Sequence, residues 1–215
     1  MKRIPRMVLV LIAVLSLAVP TAAMAAIVLD FGIVAPTSGS ISFAGGTSPL
    51  VGAGIDVNNV VGTGTPNNDG FTINLTDYYL SFTTGALSGS TSTSWTFGPG
   101  GSILISDGTH DLLTGTFNFA EVIQIGSTFK IAGASFTDTK LASLLAFYGL
   151  DVGSSWDGNF NISFYATGSP PGGFTSSQLL SGDVANTPVP EPGTMLLLGT
   201  GLVGLAAWGR KKFRK

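Results

Sequence analysis

Apolar and polar residues take turns along the middle of this chain. In Phe71-Thr72-Ile73-Asn74-Leu75 and again in Phe160-Asn161-Ile162-Ser163-Phe164, every second side chain is apolar, so an extended backbone presents one face to a core and the other to water. Segments of this kind predict strands at 27–34, 40–43, 54–61, 71–75, 78–84, 92–97, 102–106, 112–119, 121–125, 128–136 and 159–166. Turn formers separate them: Asn67-Asn68-Asp69-Gly70, Gly98-Pro99-Gly100-Gly101, Asp107-Gly108 and Gly126-Ser127. The Gly126-Ser127 pair, set between two apolar-rich stretches, predicts a two-residue hairpin with a type II′ turn. Turn signals spaced by roughly 8 to 12 residues predict an all-β fold, an antiparallel β-sandwich or jelly-roll-like body.

One stretch departs from this period. From Asp138 to Gly149 the apolar residues Leu141, Leu144, Leu145 and Tyr148 fall at helical spacing and a glycine ends the run, which predicts a short helix over 140–148 capped by Asp138 or Thr139. After 167 the pattern fades. Ser169-Pro170-Pro171-Gly172-Gly173 and the polar residues that follow read as a flexible linker over 168–187, despite Leu179 and Leu180. The body is therefore expected at 26–167 as one domain.

The two ends follow neither period. Lys2, Arg3 and Arg6 precede an apolar stretch at 7–19, and Ala23-Met24-Ala25 fits the small-residue box cut by a signal peptidase. A signal peptide over 1–25 is predicted, with Ala26 as the mature start and Ala23 as a second cleavage point. At the other end an apolar run at 194–209 stands before Arg210, Lys211, Lys212, Arg214 and Lys215. Its core is about 21 Å long as a helix at 1.5 Å per residue, against about 30 Å of hydrocarbon, so it is a short transmembrane helix whose cations stay on the cytoplasmic side. Within it Gly199, Gly201 and Gly204 match a dinucleotide-binding spacing letter for letter, but no strand precedes them and the chain has no acidic residue beyond. They suit close helix packing instead.

Ahead of that run stands Pro188-Val189-Pro190-Glu191-Pro192-Gly193, short of backbone donors and biased to an extended form that an enzyme can grip. With Val189, Pro190, Glu191 and Pro192, then a short membrane helix, then a basic end, residues 188–215 resemble the PEP-CTERM family of bacterial sorting signals. The resemblance implies recognition and removal of the tail by an exosortase, a membrane enzyme, in a Gram-negative bacterium that makes exopolysaccharide. It covers the tail alone.

Charge separates along the chain in the same way. Of ten Lys and Arg, only Lys130 and Lys140 lie between the two ends, against eleven acidic residues, a net of −9 for the body. Such a surface repels phosphate backbones and anionic lipid, which argues against nucleic acid as a partner. With no cysteine, neither a disulfide nor a thiolate metal site is available. A hydrophobic content of 44% is too high for disorder at this charge.

Candidate chemistry is sparse. His110, the only histidine, sits between Asp107 and Asp111 in an expected loop and reads as a solvated turn residue. Glu121 is the only glutamate before the tail, which leaves pairs of Asp for glycoside hydrolysis, and nothing in the sequence marks one such pair out. Acidic loops, among them Asp69, the Asp107 and Asp111 pair, and Asp151 with Asp157, offer oxygen ligands of the kind Ca2+ takes, without matching a calcium-loop pattern. Trp95, Trp156, Tyr78 and Tyr79 offer rings for stacking on a sugar, or core filling. The expectation is an exported, non-enzymatic protein of the cell envelope or extracellular matrix, structural or adhesive and associated with exopolysaccharide, processed by signal peptidase and exosortase. A carbohydrate- or calcium-binding module is the alternative.

Overall fold

A computed structural model describes residues 26–176, 178–189, 199 and 201–202. The first half of the body holds β1 (Val28–Ile33), β2 (Ser40–Phe43), β3 (Pro49–Asp56), β4 (Asn59–Thr63), β5 (Thr72–Asn74), β6 (Tyr79–Ser90), β7 (Ser94–Phe97) and β8 (Gly100–Ser106). The second half holds β9 (Asp111–Ile125), β10 (Thr128–Lys140), α1 (Ala142–Tyr148), β11 (Trp156–Tyr165), β12 (Phe174–Ser176) and β13 (Gln178–Pro188). All described pairings are antiparallel and join one 13-stranded sheet in the order β12-β2-β3-β6-β7-β9-β10-β11-β13-β1-β4-β5, with β8 paired to both β6 and β9. The all-β, antiparallel expectation with one short helix is met.

The alternation read from the sequence decides which face turns inward. Leu29, Phe31 and Ile33 of β1 and Trp156, Phe160, Ile162 and Phe164 of β11 are buried at every second position, while their neighbours face out. The sheet folds back on itself, because residues far apart in strand order meet in the core. Phe82 of β6 lies 5.1 Å, ring to ring, from Phe160 of β11, and Phe174 on the outermost strand β12 lies 4.9 Å from Trp95 and 5.2 Å from Phe129. Edge-to-face and tilted aromatic pairs of this sort fill the interior and add about 0.5–1.5 kcal/mol each beyond burial.

Local signals were mostly reliable, and their failures have identifiable causes. The Gly126-Ser127 hairpin forms with Ile125 opposite Thr128 and Gly126 at φ 65. The expected strand at 54–61 is two strands instead: β3 ends at Asp56 and β4 begins at Asn59, and between them the Val57 and Asn58 amides donate to the Tyr78 and Gly32 carbonyls. The strands expected at 112–119 and 121–125 run on as β9, whose inward parity changes at a bulge opposite Ser135 and Phe136.

The helix is shorter than predicted and begins differently. Gly149 ends it in the left-handed conformation at φ 71, as expected, but its N-cap is Leu141 without a side-chain bond. Neither Asp138 nor Thr139 caps it, because β10 continues through Lys140 and carries both into the sheet. Tyr148 holds the helix down, its hydroxyl donating to the Val60 and Phe71 carbonyls at 3.1 and 2.9 Å.

The largest correction concerns 168–187, expected as a linker. That stretch contains β12 and β13, and β13 is inserted between β11 and β1 with Asn186 opposite both Gly158 and Leu29. Periodicity missed it because its inward positions are Leu179, Val184 and Asn186 among Ser, Gly and Asp, too few apolar residues to reveal a strand. A chain ending at 167 should therefore fail to give the cooperative urea transition of a chain ending at 189, since β11 and β1 would both lose a partner. Phe160→Ala in the longer chain should lower its unfolding free energy by about 3–5 kcal/mol in the same titration.

Candidate functional site

The ends of the body emerge together. β1 and β13 run antiparallel with Leu29 opposite Asn186, so Ile27, next to the expected mature start, and Val189, where the sorting motif begins, line one cleft of about 370 Å³. Pro188 pairs with Trp156, and the Val189 amide donates to the Ser155 carbonyl at 2.9 Å. The chain is thus held in extended form up to the first residue of the motif. Ala26 is exposed. The expected cleavage residues Ala23 and Ala25, the motif residues Pro190, Glu191 and Pro192, and the basic cluster Arg210, Lys211, Lys212, Arg214 and Lys215 lie outside the described residues. So does most of the expected membrane helix, of which Gly199, Gly201 and Leu202 are helical. Among the described residues no helix is long and apolar enough to cross a membrane.

Directly beneath this exit lies a polar cluster that sequence reasoning did not anticipate. Past the bulges of β10, Ala134, Phe136, Asp138 and Lys140 share the inward parity. Lys140 Nζ, wholly buried, contacts Asp138 Oδ1, donates to Asn186 Oδ1 at 3.0 Å and lies 5.1 Å from the centre of the Trp156 ring. Burial pushes the Asp138 carboxyl up to about 6 against the pull of the nearby ammonium, and burial draws Lys140 down to about 8 despite its carboxylate partner. Asp138 Oδ2 and Trp156 Nε1 are buried without partners. The available signal was parity: a lysine two and four residues beyond inward-facing positions of a strand, in a body with only two lysines.

The expected ligand residues are placed otherwise. Trp95 and Trp156 are 0% and 1% exposed, so neither presents a face to a sugar; Trp95 is core, its Nε1 donating to Gly172 at 3.0 Å. Asp107 closes its own turn, Oδ1 accepting from the Thr109 and His110 amides at 2.7 and 2.6 Å and Oδ2 lying 3.1 Å from His110 Nδ1. Asp111 is exposed on the paired strand β9, opposite Ser106. Among the described residues no three His, Asp or Glu side chains are grouped to hold a metal ion. His110 instead borders an apolar cleft of about 380 Å³, with Tyr78, Ile73, Leu112, Leu144 and Phe147 among its walls.

Residues 188–211 match the PEP-CTERM protein-sorting motif. No curated protein and no solved structure matches the chain. The motif implies exosortase-dependent sorting of an exported protein whose tail anchors it before processing.

The Asp107 turn makes a pH prediction. Amide and imidazole donors, the His110 amide foremost, hold this carboxyl well below its ordinary 3.8, so its contribution to stability is full above that value and lost as pH falls further. Wild type should exceed Asp107→Asn in melting temperature at neutral pH, and the gap should close on acidification below 3.8.

Proposed function

We propose, from the premise that the tail is a PEP-CTERM sorting signal, that the chain delivers a non-enzymatic structural or adhesive body to the surface of a Gram-negative cell, where it associates with exopolysaccharide. The observation that carries this reading is the shared exit of the two ends. Ile27 and Val189 line one cleft, so a precursor held by a signal segment and a sorting tail hangs from the inner membrane by a single pole. The rest of the body then faces outward, and one cut at each junction frees it without disturbing the sheet.

A passive role is supported by how the chemical side chains are used. Both candidate tryptophans serve the core, the Asp107 carboxylate is engaged by its own turn, and the His110 cleft is walled chiefly by apolar side chains. Lys130 is the one exposed lysine or arginine among the described residues, so the outer surface is acidic and otherwise dominated by hydroxyl and amide groups. Groups of that kind suit hydrogen bonding to hydrated polysaccharide.

One observation favours the alternative of a carbohydrate-binding module. The His110 cleft joins Tyr78 to Phe147, whose ring is tilted against the exposed Phe71 ring with centroids 5.6 Å apart. Saturable binding on a glycan array, lost in Phe147→Ala with the fold intact, would favour that module.

Processing is tested by replacing Glu191. Wild type should be recovered from the cell exterior as a species starting near Ala26 and lacking the basic end, whereas Glu191→Ala should stay in the membrane fraction with its tail, its released share falling roughly tenfold. Co-sedimentation with the host's purified exopolysaccharide tests the role of the body. Turnover of a glycan or peptide by the purified protein would overturn the non-enzymatic reading.

A further inference from the structure

Lys140, Asp138 and Asn186 form an arrangement whose chemistry goes beyond an ion pair. An amine, a carboxyl and a carboxamide meet where water is excluded: the Lys140 and Asp138 side chains are wholly buried, and Asn186 is 0% exposed. The carboxamide is clamped, its Nδ2 donating to the Val184 and Leu29 carbonyls at 3.1 and 3.4 Å, while its carbonyl end faces Lys140 Nζ at 3.0 Å. Lys140 and Asn186 reach each other diagonally across β11, where Gly158 lies opposite Asn186 on one side and opposite Phe136 on the other. A Cβ there would stand 2.7 Å from Asn186 Oδ1 and would run into the Phe136 ring, so the absence of a side chain keeps the path open. Trp156 roofs the amine.

We propose that Lys140 Nζ and Asn186 Cγ join in an intramolecular isopeptide bond, formed with loss of ammonia and assisted by Asp138. Proton transfer from the ammonium to the Asp138 carboxylate yields a neutral amine and a neutral acid, a state that burial favours because it removes two charges from a water-free site. The Nζ lone pair attacks Cγ, and the carbonyl π pair moves to Oδ1. Asp138 takes a proton from the new N–C centre and supplies one to Nδ2. Oδ1 re-forms the carbonyl, the Cγ–Nδ2 bond breaks, and its electron pair leaves with the nitrogen as ammonia. An amine and a primary amide become a secondary amide and ammonia, with no oxidant and no co-reactant. Asp138 Oδ2, buried without a partner, is free to carry the proton. The positioning comes from the fold, which brings the reacting atoms together and spares the entropy of an encounter.

The bond would staple β10 to β13 over β11, closing a loop between positions 46 apart in a chain without cysteine. Closing such a loop removes entropy from the unfolded chain as a disulfide does. An amide to Asp138 instead would join two residues of one strand and tie nothing across the sheet.

Intact-mass spectrometry of the exported full chain, with tandem spectra after denaturing tryptic digestion, tests this. The expected result is a mass one ammonia below that of the processed sequence, no cleavage after Lys140, and fragments joining Lys140 to Asn186. Asp138→Asn, of nearly the same shape, should show the unreacted mass, cleavage after Lys140 and a melting temperature lower by roughly 10 °C. A buried ion pair alone would leave the wild-type mass unchanged, and wild type at the unreacted mass and cut after Lys140 overturns the proposal even if the variant fails to fold. Loss of one water, with fragments joining Lys140 to Asp138, overturns it as well. Persistence of the cross-link in Asp138→Asn overturns the role given to that carboxyl.

Discussion

Everything in this body depends on β13 lying between β11 and β1. The strand is built from few apolar residues, yet it makes ten register pairs with β11 and five with β1, joining the last strand of the chain to the first. Without it the backbone groups of both neighbours would lose their partners, and a buried unpaired amide or carbonyl costs about 1–3 kcal/mol. The same insertion draws the two chain ends to one pole and brings Asn186 over the inner end of β10. Export geometry and interior chemistry therefore share one structural cause.

With no cysteine available, stability outside the cell has to come from packing. The aromatic set running from Phe43 and Phe97 through Phe82, Phe117, Phe136 and Phe160 gives one continuous interior, and Phe174 on the edge strand seals it by resting on Trp95, Phe129 and Phe164. Against that background a buried lysine and aspartate stand out. An isolated buried ion pair is commonly no more stabilising than apolar residues of the same volume, since desolvation offsets attraction. A covalent outcome for the three groups gives the cluster a physical purpose that the ion pair lacks.

The outside of the molecule is shaped by its destination. Eight of the ten lysines and arginines stand in the two terminal segments, and the body keeps one exposed lysine among many carboxylates. That asymmetry separates the segments: the basic residues cluster at the termini, while the surface of the body is neutral and acidic.

The sorting motif, the antiparallel β character, the Gly126 hairpin and the Gly149 helix stop were all legible in the amino-acid order, because each depends on residues within a few positions of one another. A sorting signal is recognised as a short linear segment, and alternation is a property of a single strand. What the sequence could not disclose were relations across distance: the Asn186 side chain donates to Leu29, 157 positions away, and Trp156 lies opposite Pro188. Strand order decides such contacts. A polar strand such as β13 becomes interior only when two neighbours claim its backbone, and a lysine becomes reactive only when the sheet closes water away from it, so both were decided by the tertiary structure alone.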